Sequence, residues 1–394
     1  MINVMKLNIA YLLLHDQKFS SWRLEDFVFK RYHFSKDYAE RVGARGNNVV
    51  LYTFHQDLRG VKEFHLGGYV LKVFPVRFRF PPFVPIGNSH NLEVFRELLE
   101  GNFDIVHFHN YYFWSLAPIF FAKLRCCCGW RLVAQYHGEP ELQTFGKFVH
   151  RPFFGVIDKF LVAPDEEIYW LKKMHVNSSK ILKFPNVGVD TSLFRRVGEK
   201  EKVPHLIYAG RMPFKPRTLK EQNPWLILEI VHRFKRKYGN TFKVLMVGDG
   251  PGLDALKSFS RSLGLEENVE FLGFVSHGLL PKLFSKCVLA FSPTSMMDIN
   301  PLWGGALKEA LACETAVAGF NPYIRSYLEA RRRFGLLLPA DVEKAAEFLY
   351  MALKDRDFLV EAGLRGRRFI EKYCSWEKVI EKLLEVYREL LLTA

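Results

Sequence analysis

Short runs rich in Val, Ile, Leu and Phe recur along the chain with helical patterns between them, the signature of parallel strands joined by crossover helices. In the first half the runs are Leu7–Leu14, Asn48–Phe54, Asp104–His109, Arg131–His137, Lys159–Ala163 and Lys180–Phe184. In the second they are His205–Ala209, Lys243–Val247, Val269–Leu272, Val288–Ser292 and Ala316–Gly319. Runs this apolar belong to sheets buried on both faces. A turn-rich break, Pro185 to Asp190, and a charged stretch, Arg195 to Lys202, separate the two series. With 394 residues the chain exceeds what one core usually holds. The expectation is therefore an α/β protein of two domains built on parallel sheets, 1–187 and 188–375.

The formal charge of +14 is spread over both halves and forms no basic tail. It suits solubility, an anionic substrate or a negatively charged membrane surface, and without a recognition motif it does not point to nucleic acid. Cys126, Cys127 and Cys128 stand together while Cys287, Cys313 and Cys374 are isolated, so no metal-ligand spacing exists and a reduced, cytoplasmic protein is expected. The apolar run Leu7–Leu14 is too short for a membrane span and lacks a cleavage site; the stretch Tyr111 to Ala122 is interrupted by Ser115 and Pro118. Membrane contact, if made, is expected to be peripheral. The segment from Trp376 carries Val379, Ile380, Leu383, Leu384 and Tyr387 at helical spacing, behind Ser375 as an N-cap.

Open parallel sheets bind ligands beyond the carboxyl ends of their strands. In the second half those ends read Gly210-Arg211, Gly248-Asp249-Gly250-Pro251-Gly252, Ser292-Pro293 and Trp303-Gly304-Gly305 leading to Glu309. Glycines admit close backbone approach, a helix opening near Asn300-Pro301 offers N–H groups and positive dipole, and Arg211 can fork onto phosphate oxygens. Glu309, one to two turns into that helix, can accept from paired ribose hydroxyls. Singly, the glycines also read as a tight turn and Glu309 as a solvated face.

Taken in order, the stretches Asp104 to His109, Tyr136-His137-Gly138, Phe184 to Asp190 with Phe194, Gly210-Arg211, Val247 to Pro251, Phe271-Leu272-Gly273 and Glu309 to Ala312 resemble the family 4 glycosyltransferases of the GT-B fold. No Walker lysine motif is present, which disfavours a nucleotide hydrolase. The resemblance implies two facing Rossmann-like domains, with the segment 376–394 returning to the first. It implies retaining, metal-independent hexosyl transfer from a nucleotide sugar to a glycan or lipid-linked acceptor, with no cofactor beyond that donor substrate. Carried onto this sequence, Arg211 holds the pyrophosphate, Glu309 the ribose, Gly248, Gly304 and Gly305 approach the donor, and His137 lies near the reacting sugar. The family's lysine falls on Lys220, with Lys215 as the alternative.

Two positions depart from the family pattern. The first of its paired glutamates falls on Pro301, which can accept nothing through its side chain; Asn300 or Asp298 is near enough to replace it, although Asn300 before Pro301 also reads as a plain N-cap. The loop His15 to Phe19 lacks the paired glycines found there in many members. A protein that binds a nucleotide sugar or partner without transfer is the alternative these departures leave open. His107 and His109 share one strand face, but no Cys, Asp or Glu nearby completes a metal set. Phe74 to Phe83 alternates aromatic and basic residues, either as a half-buried strand with arginines outward or as a contact for a lipid interface.

Overall fold

A computed structural model describes residues 5–16, 23–30, 33–80, 89–111, 114, 117–125, 129–138, 151–214, 223–292, 300–302 and 304–393. Lys215, Lys220, Gln17 to Phe19, Pro81 to Phe83, Cys126 to Cys128, Pro293, Asp298 and Trp303 lie outside the described residues. The chain forms two compact units: Met1–Asn186 with Ile380–Ala394, and Val187–Val379.

The first unit contains β1 (Asn8–Asp16), β2 (Asn48–Phe54), β3 (Lys62–Leu66), β4 (Tyr69–Phe74), β5 (Phe78–Arg79), β6 (Ser89–His90), β7 (Ile105–His109), β8 (Arg131–Gln135), β9 (Lys159–Val162) and β10 (Ile181–Lys183). Eight of these form one sheet in the order β10, β9, β8, β7, β1, β2, β4, β3. All neighbours are parallel except β3 and β4. Ile9 to Leu13 and every residue of β7 are buried, as expected of central strands covered on both faces. From Ile380 onward the helix Trp376–Leu392 belongs to this unit, and it buries Leu383, Leu384 and Tyr387. The Tyr387 hydroxyl meets His107 Nδ1 and donates to the Tyr11 hydroxyl at 3.2 Å.

The aromatic and basic alternation after Phe74 does not continue as a strand. β4 stops at Phe74, before Pro75 can leave a gap in the ladder, and among the described residues that follow only Phe78–Arg79 pairs again, antiparallel to β6. Neither arginine points outward unengaged: Arg79 contacts Asp16 at 2.6 Å and Ser89 at 3.1 Å, and Arg77 meets Glu93 at 3.4 Å. Phe78 stacks on His90, while Phe80 is exposed.

The second unit contains β11 (His205–Ala209), β12 (Lys243–Val247), β13 (Val269–Gly273), β14 (Leu289–Phe291), β15 (Ala316–Phe320), β16 (Arg331–Arg332) and β17 (Gly335–Leu338), in the order β13, β12, β11, β14, β15, β17, β16. Only the edge pair β16 and β17 is antiparallel. The helix Pro224–Tyr238 shows how local signals place a crossover. Asn223 caps it by accepting from Leu226 N at 3.0 Å, Pro224 occupies a first-turn position where no N–H is needed, and Gly239 closes it at φ 95°. Ile227, Leu228, Ile230, Val231 and Phe234 form its buried face.

At the start of this unit Val189 bridges to Ser375: Val189 N donates to Cys374 O at 2.8 Å and Trp376 N to Val189 O at 2.9 Å. A Cβ at Gly188 would lie 2.4 Å from the Trp376 ring, so only glycine lets the two segments close. Beneath them Lys308, with no exposed surface, donates to the Val187 carbonyl. Burial lowers the Lys308 ammonium to about 8 against the opposing pull of Cys374 and Glu309. The unfolded chain therefore holds this proton more tightly than the folded one between pH about 8 and the ordinary lysine value, and unfolding free energy rises with pH through that window. The swing is on the order of 3 kcal/mol. Urea midpoints of the parent minus those of Lys308→Met, followed from pH 7.5 to 10.5, are expected to rise; a flat difference would show that Lys308 keeps an ordinary affinity for its proton.

Candidate functional site

The sheet order of the second unit sets its candidate residues on one edge. β11 is flanked by β12 on one side and β14 on the other, both parallel, so the carboxyl ends of these three strands lie together at a topological switch point. Arg211 lies two residues past the end of β11, after Gly210, and is exposed. The buried Tyr208 donates its hydroxyl to the Arg211 carbonyl at 2.6 Å, fixing the backbone beneath the guanidinium to the core.

The loop after β12 holds the Arg211 loop from the other side. Gly210 N donates to Val247 O, Met212 N to Asp249 O and Gly252 N to Met212 O, all within 3.0 Å. Gly248 sits at φ 131°, and a Cβ there would lie 1.8 Å from Gly210 O; at Gly250 it would lie 2.5 Å from Met212 O, and at Gly252 2.0 Å from Pro213 O. In this structure the three glycines therefore let one strand-end loop lie flat on another. Gly248 positions Arg211 through that packing.

The helix expected near Asn300-Pro301 opens later, at Gly305, and runs to Ala312. The Asn300 side-chain oxygen accepts from Leu302 N at 2.9 Å and closes a local turn, so it caps that turn and not the helix. Pro301 is buried, its carbonyl 3.5 Å from the Cys374 thiol. Gly304, at φ 79°, precedes the helix and has no side chain with which to cap the first-turn N–H groups. Those groups and the helix dipole suit an anion.

Glu309 occupies the second turn of that helix and is 9% exposed, which excludes the solvated-face reading. Its Oε1 lies 2.8 Å from His277 Nε2, and the His277 ring packs edge-on against Phe194. Sequence reasoning did not single out His277. Its only signal was its place, four residues after β13 on the same sheet edge.

In the first unit His137 follows β8 and is partly exposed. Its backbone N–H donates to Asn110 Oδ1 at 2.9 Å, its ring stacks on Phe34 with centroids 4.2 Å apart, and its Nε2 lies 2.9 Å from His109 Nδ1. Asn110 adopts φ 77°, a conformation asparagine tolerates, and its side-chain oxygen reaches the residue two past the end of β8. His107 and His109 do share a strand face, but their rings stack at 4.7 Å, and among the described residues no three His, Cys, Asp or Glu side chains converge for a metal. Burial holds both imidazoles well below the usual histidine value, with neighbouring histidines adding to the effect. Gly305 is open at its Cα, Gly248 is enclosed, and Lys220 with its alternative Lys215 lies outside the described residues.

Two family profiles match the chain in succession: Glycosyltransferase Family 4 over residues 34–193 and Glycosyl transferases group 1 over residues 191–369. The uncharacterized glycosyltransferase YqgM of Bacillus subtilis is 22% identical over 305 residues, 76% of this chain and 82% of that protein. A GDP-mannose-dependent alpha-(1-6)-phosphatidylinositol monomannoside mannosyltransferase of Mycobacterium tuberculosis is 26% identical over 150 residues, 37% of this chain and 39% of that one. Among solved structures, sucrose-phosphate synthase from Thermosynechococcus elongatus aligns with TM-score 0.72 at 17% identity, over 99% of this chain and all of that one. HepE of Anabaena in complex with UDP aligns with TM-score 0.66 at 14% identity, over 97% of this chain and 100% of that one. These likenesses at low identity concern the fold, while the two profiles concern descent: the chain belongs to the family 4 glycosyltransferases and has the GT-B fold.

Proposed function

We propose that this chain transfers a hexosyl group from a UDP- or GDP-sugar to a glycan or lipid-linked acceptor, with retention of configuration and without a metal. The observation that carries this reading is the arrangement on one sheet edge of the second unit: exposed Arg211 at the end of β11, and the buried, His277-paired Glu309 in a helix opened by Gly304 and Gly305. Arg211 and Lys220 take the diphosphate together with the helix N-terminus, and Glu309 takes the ribose hydroxyls. Gly248 serves through the seat it gives Arg211, and Asn300 stands beside the position where the family's first glutamate is replaced by Pro301. The bond from the anomeric carbon to the phosphate oxygen breaks as the acceptor oxygen bonds on the same face. The acceptor proton passes to the departing phosphate oxygen, whose charge Arg211 and Lys220 stabilise. His137 contacts the donor sugar. The division of the chain into an acceptor-side domain, 1–187 with 376–394, and a donor-side domain, 188–375, belongs to the same reading.

Incubation with a panel of nucleotide sugars is expected to release UDP or GDP from one of them. Arg211→Ala is expected to weaken donor binding at least tenfold, about 1.4 kcal/mol, with the fold unchanged because the side chain is exposed. Unaltered affinity and turnover would place the phosphates elsewhere. Binding of a nucleotide without release from any donor would favour the binding-only alternative, for which Pro301 is the specific observation.

Glu309→Gln keeps the shape of the side chain and loses the charge that ribose hydroxyls and His277 both address. Nucleotide affinity by calorimetry is expected to fall by roughly 1.5–3 kcal/mol. A trace matching the parent would remove Glu309 from the site.

For the acceptor, the phosphatidylinositol monomannoside in the mycobacterial relative's name and the overall charge of +14 support a lipid-linked compound at a peripheral membrane surface. No helix among the described residues is long and apolar enough to cross a membrane. Cosedimentation with anionic vesicles at low salt, abolished at high salt, is expected. Because Arg77 and Arg79 are already paired with Glu93 and Asp16, their replacement by Glu should reduce pelleting only modestly. Failure to pellet at low salt would leave a soluble glycan as the acceptor.

A further inference from the structure

We propose that His109 fixes His137 as the Nδ1–H tautomer, so that His137 meets the donor sugar as a hydrogen-bond donor and not as a base. The claim about the tautomer concerns the first unit alone; its use toward the sugar rests on the reading of His137 given above.

The lock follows from the number of protons that the enclosed pair of rings can carry. A neutral imidazole carries one N–H and one lone pair. His109 is 1% exposed; its Nδ1 lies 2.9 Å from His137 Nε2, and its Nε2 is buried with no hydrogen-bond partner among the described residues. The rings of Tyr11 and Tyr38 lie 5.3 Å from it and that of Phe34 5.6 Å. His109 is held neutral by burial, and the titratable groups packed around it are His107, His33, Tyr11, Tyr38 and His137.

Two arrangements satisfy the 2.9 Å contact. If His137 donates from Nε2, His109 must carry its proton on its own Nε2, leaving a buried N–H without an acceptor; an aromatic face is at best a weak substitute. If His109 donates from Nδ1, only a lone pair is left unsatisfied, which is the less costly of the two vacancies. The second arrangement makes His137 Nε2 the acceptor and places the His137 proton on Nδ1. Stacking on Phe34 at 4.2 Å holds the plane of the ring, and the backbone bond to Asn110 holds the residue that carries it. His109 is thus a positioning residue: it settles which nitrogen of His137 carries hydrogen. An N–H at that point can stabilise oxygen on the sugar or its leaving group, and no lone pair remains there to remove a proton.

The test reads the tautomer directly in the full chain labelled with 15N-histidine, using long-range 1H–15N spectra and assigning His137 by its loss in His137→Phe. Nδ1 is expected at the protonated position and Nε2 at the unprotonated one. In His109→Leu, His137 should move toward the Nε2–H form and transfer should fall at least tenfold while nucleotide binding is unchanged. In His109→Asn, whose amide nitrogen overlays Nδ1, the tautomer and most of the lost rate should return. A parent spectrum with His137 protonated at Nε2, or a His109→Leu variant with its tautomer unaltered, overturns the proposal. Should His109→Leu fail to fold, the parent spectrum decides. An Nδ1–H tautomer accompanied by full activity in His137→Phe would overturn the contact with the sugar and leave the lock standing.

Discussion

Parallel pairing around β11 is the constraint on which the candidate donor site depends. Parallel neighbours require crossovers, the crossovers cover both faces of the sheet, and the only backbone left to meet a ligand is at the strand ends. With β12 on one side and β14 on the other, the loops bearing Arg211 and Gly248 and the helix bearing Glu309 are delivered to that edge by topology. Side-chain chemistry then refines what the backbone has gathered. The hydroxyl of Tyr208 ties down the Arg211 carbonyl, and His277 meets the carboxylate of Glu309.

Much of this was legible in the sequence because buried parallel strands write themselves as uninterrupted apolar runs. Asn48–Phe54, His205–Ala209 and Lys243–Val247 coincide with the observed strands, and the fold class follows from such runs alternating with helices. The edge strands were not legible. Lys62–Leu66 mixes Phe64 and Leu66 with Lys62, Glu63 and His65, since one side of an edge strand faces water, and at the other sheet's edge Arg331–Arg332 is only two residues long, while its buried neighbour Gly335–Leu338 is itself too short to stand out. The pattern after Phe74 misled because alternation alone does not reveal ion pairs with Asp16 and Glu93, far apart in sequence.

Within the candidate site the sequence named residue types, and the structure supplied their partners. Arg211 and Glu309 could be picked out by position after a strand and within a helix. His277 could not, and His109 stood out only as one of a strand-face pair with His107, because their significance lies in contacts across 32 and 28 residues. The glycines after Val247 show the same gap between composition and cause. Their lack of a side chain is used by the backbone of Gly210 to Pro213, a neighbour that no local pattern announces.

The first unit is discontinuous: its strands precede the second unit in the chain, while Ile380–Ala394 follow it. On a ribosome, β1 and β7 emerge early, yet the hydroxyl that meets His107 belongs to Tyr387 and is made only after all of Val187–Val379. The contiguous second unit can close as soon as its residues are out, whereas in the first Tyr11 and His107 must wait for the hydroxyl of Tyr387. Synthesis therefore reverses the order of the sequence: the unit that begins first is completed last, and for that interval His107 Nδ1 and the Tyr11 hydroxyl lack the hydroxyl that later joins them.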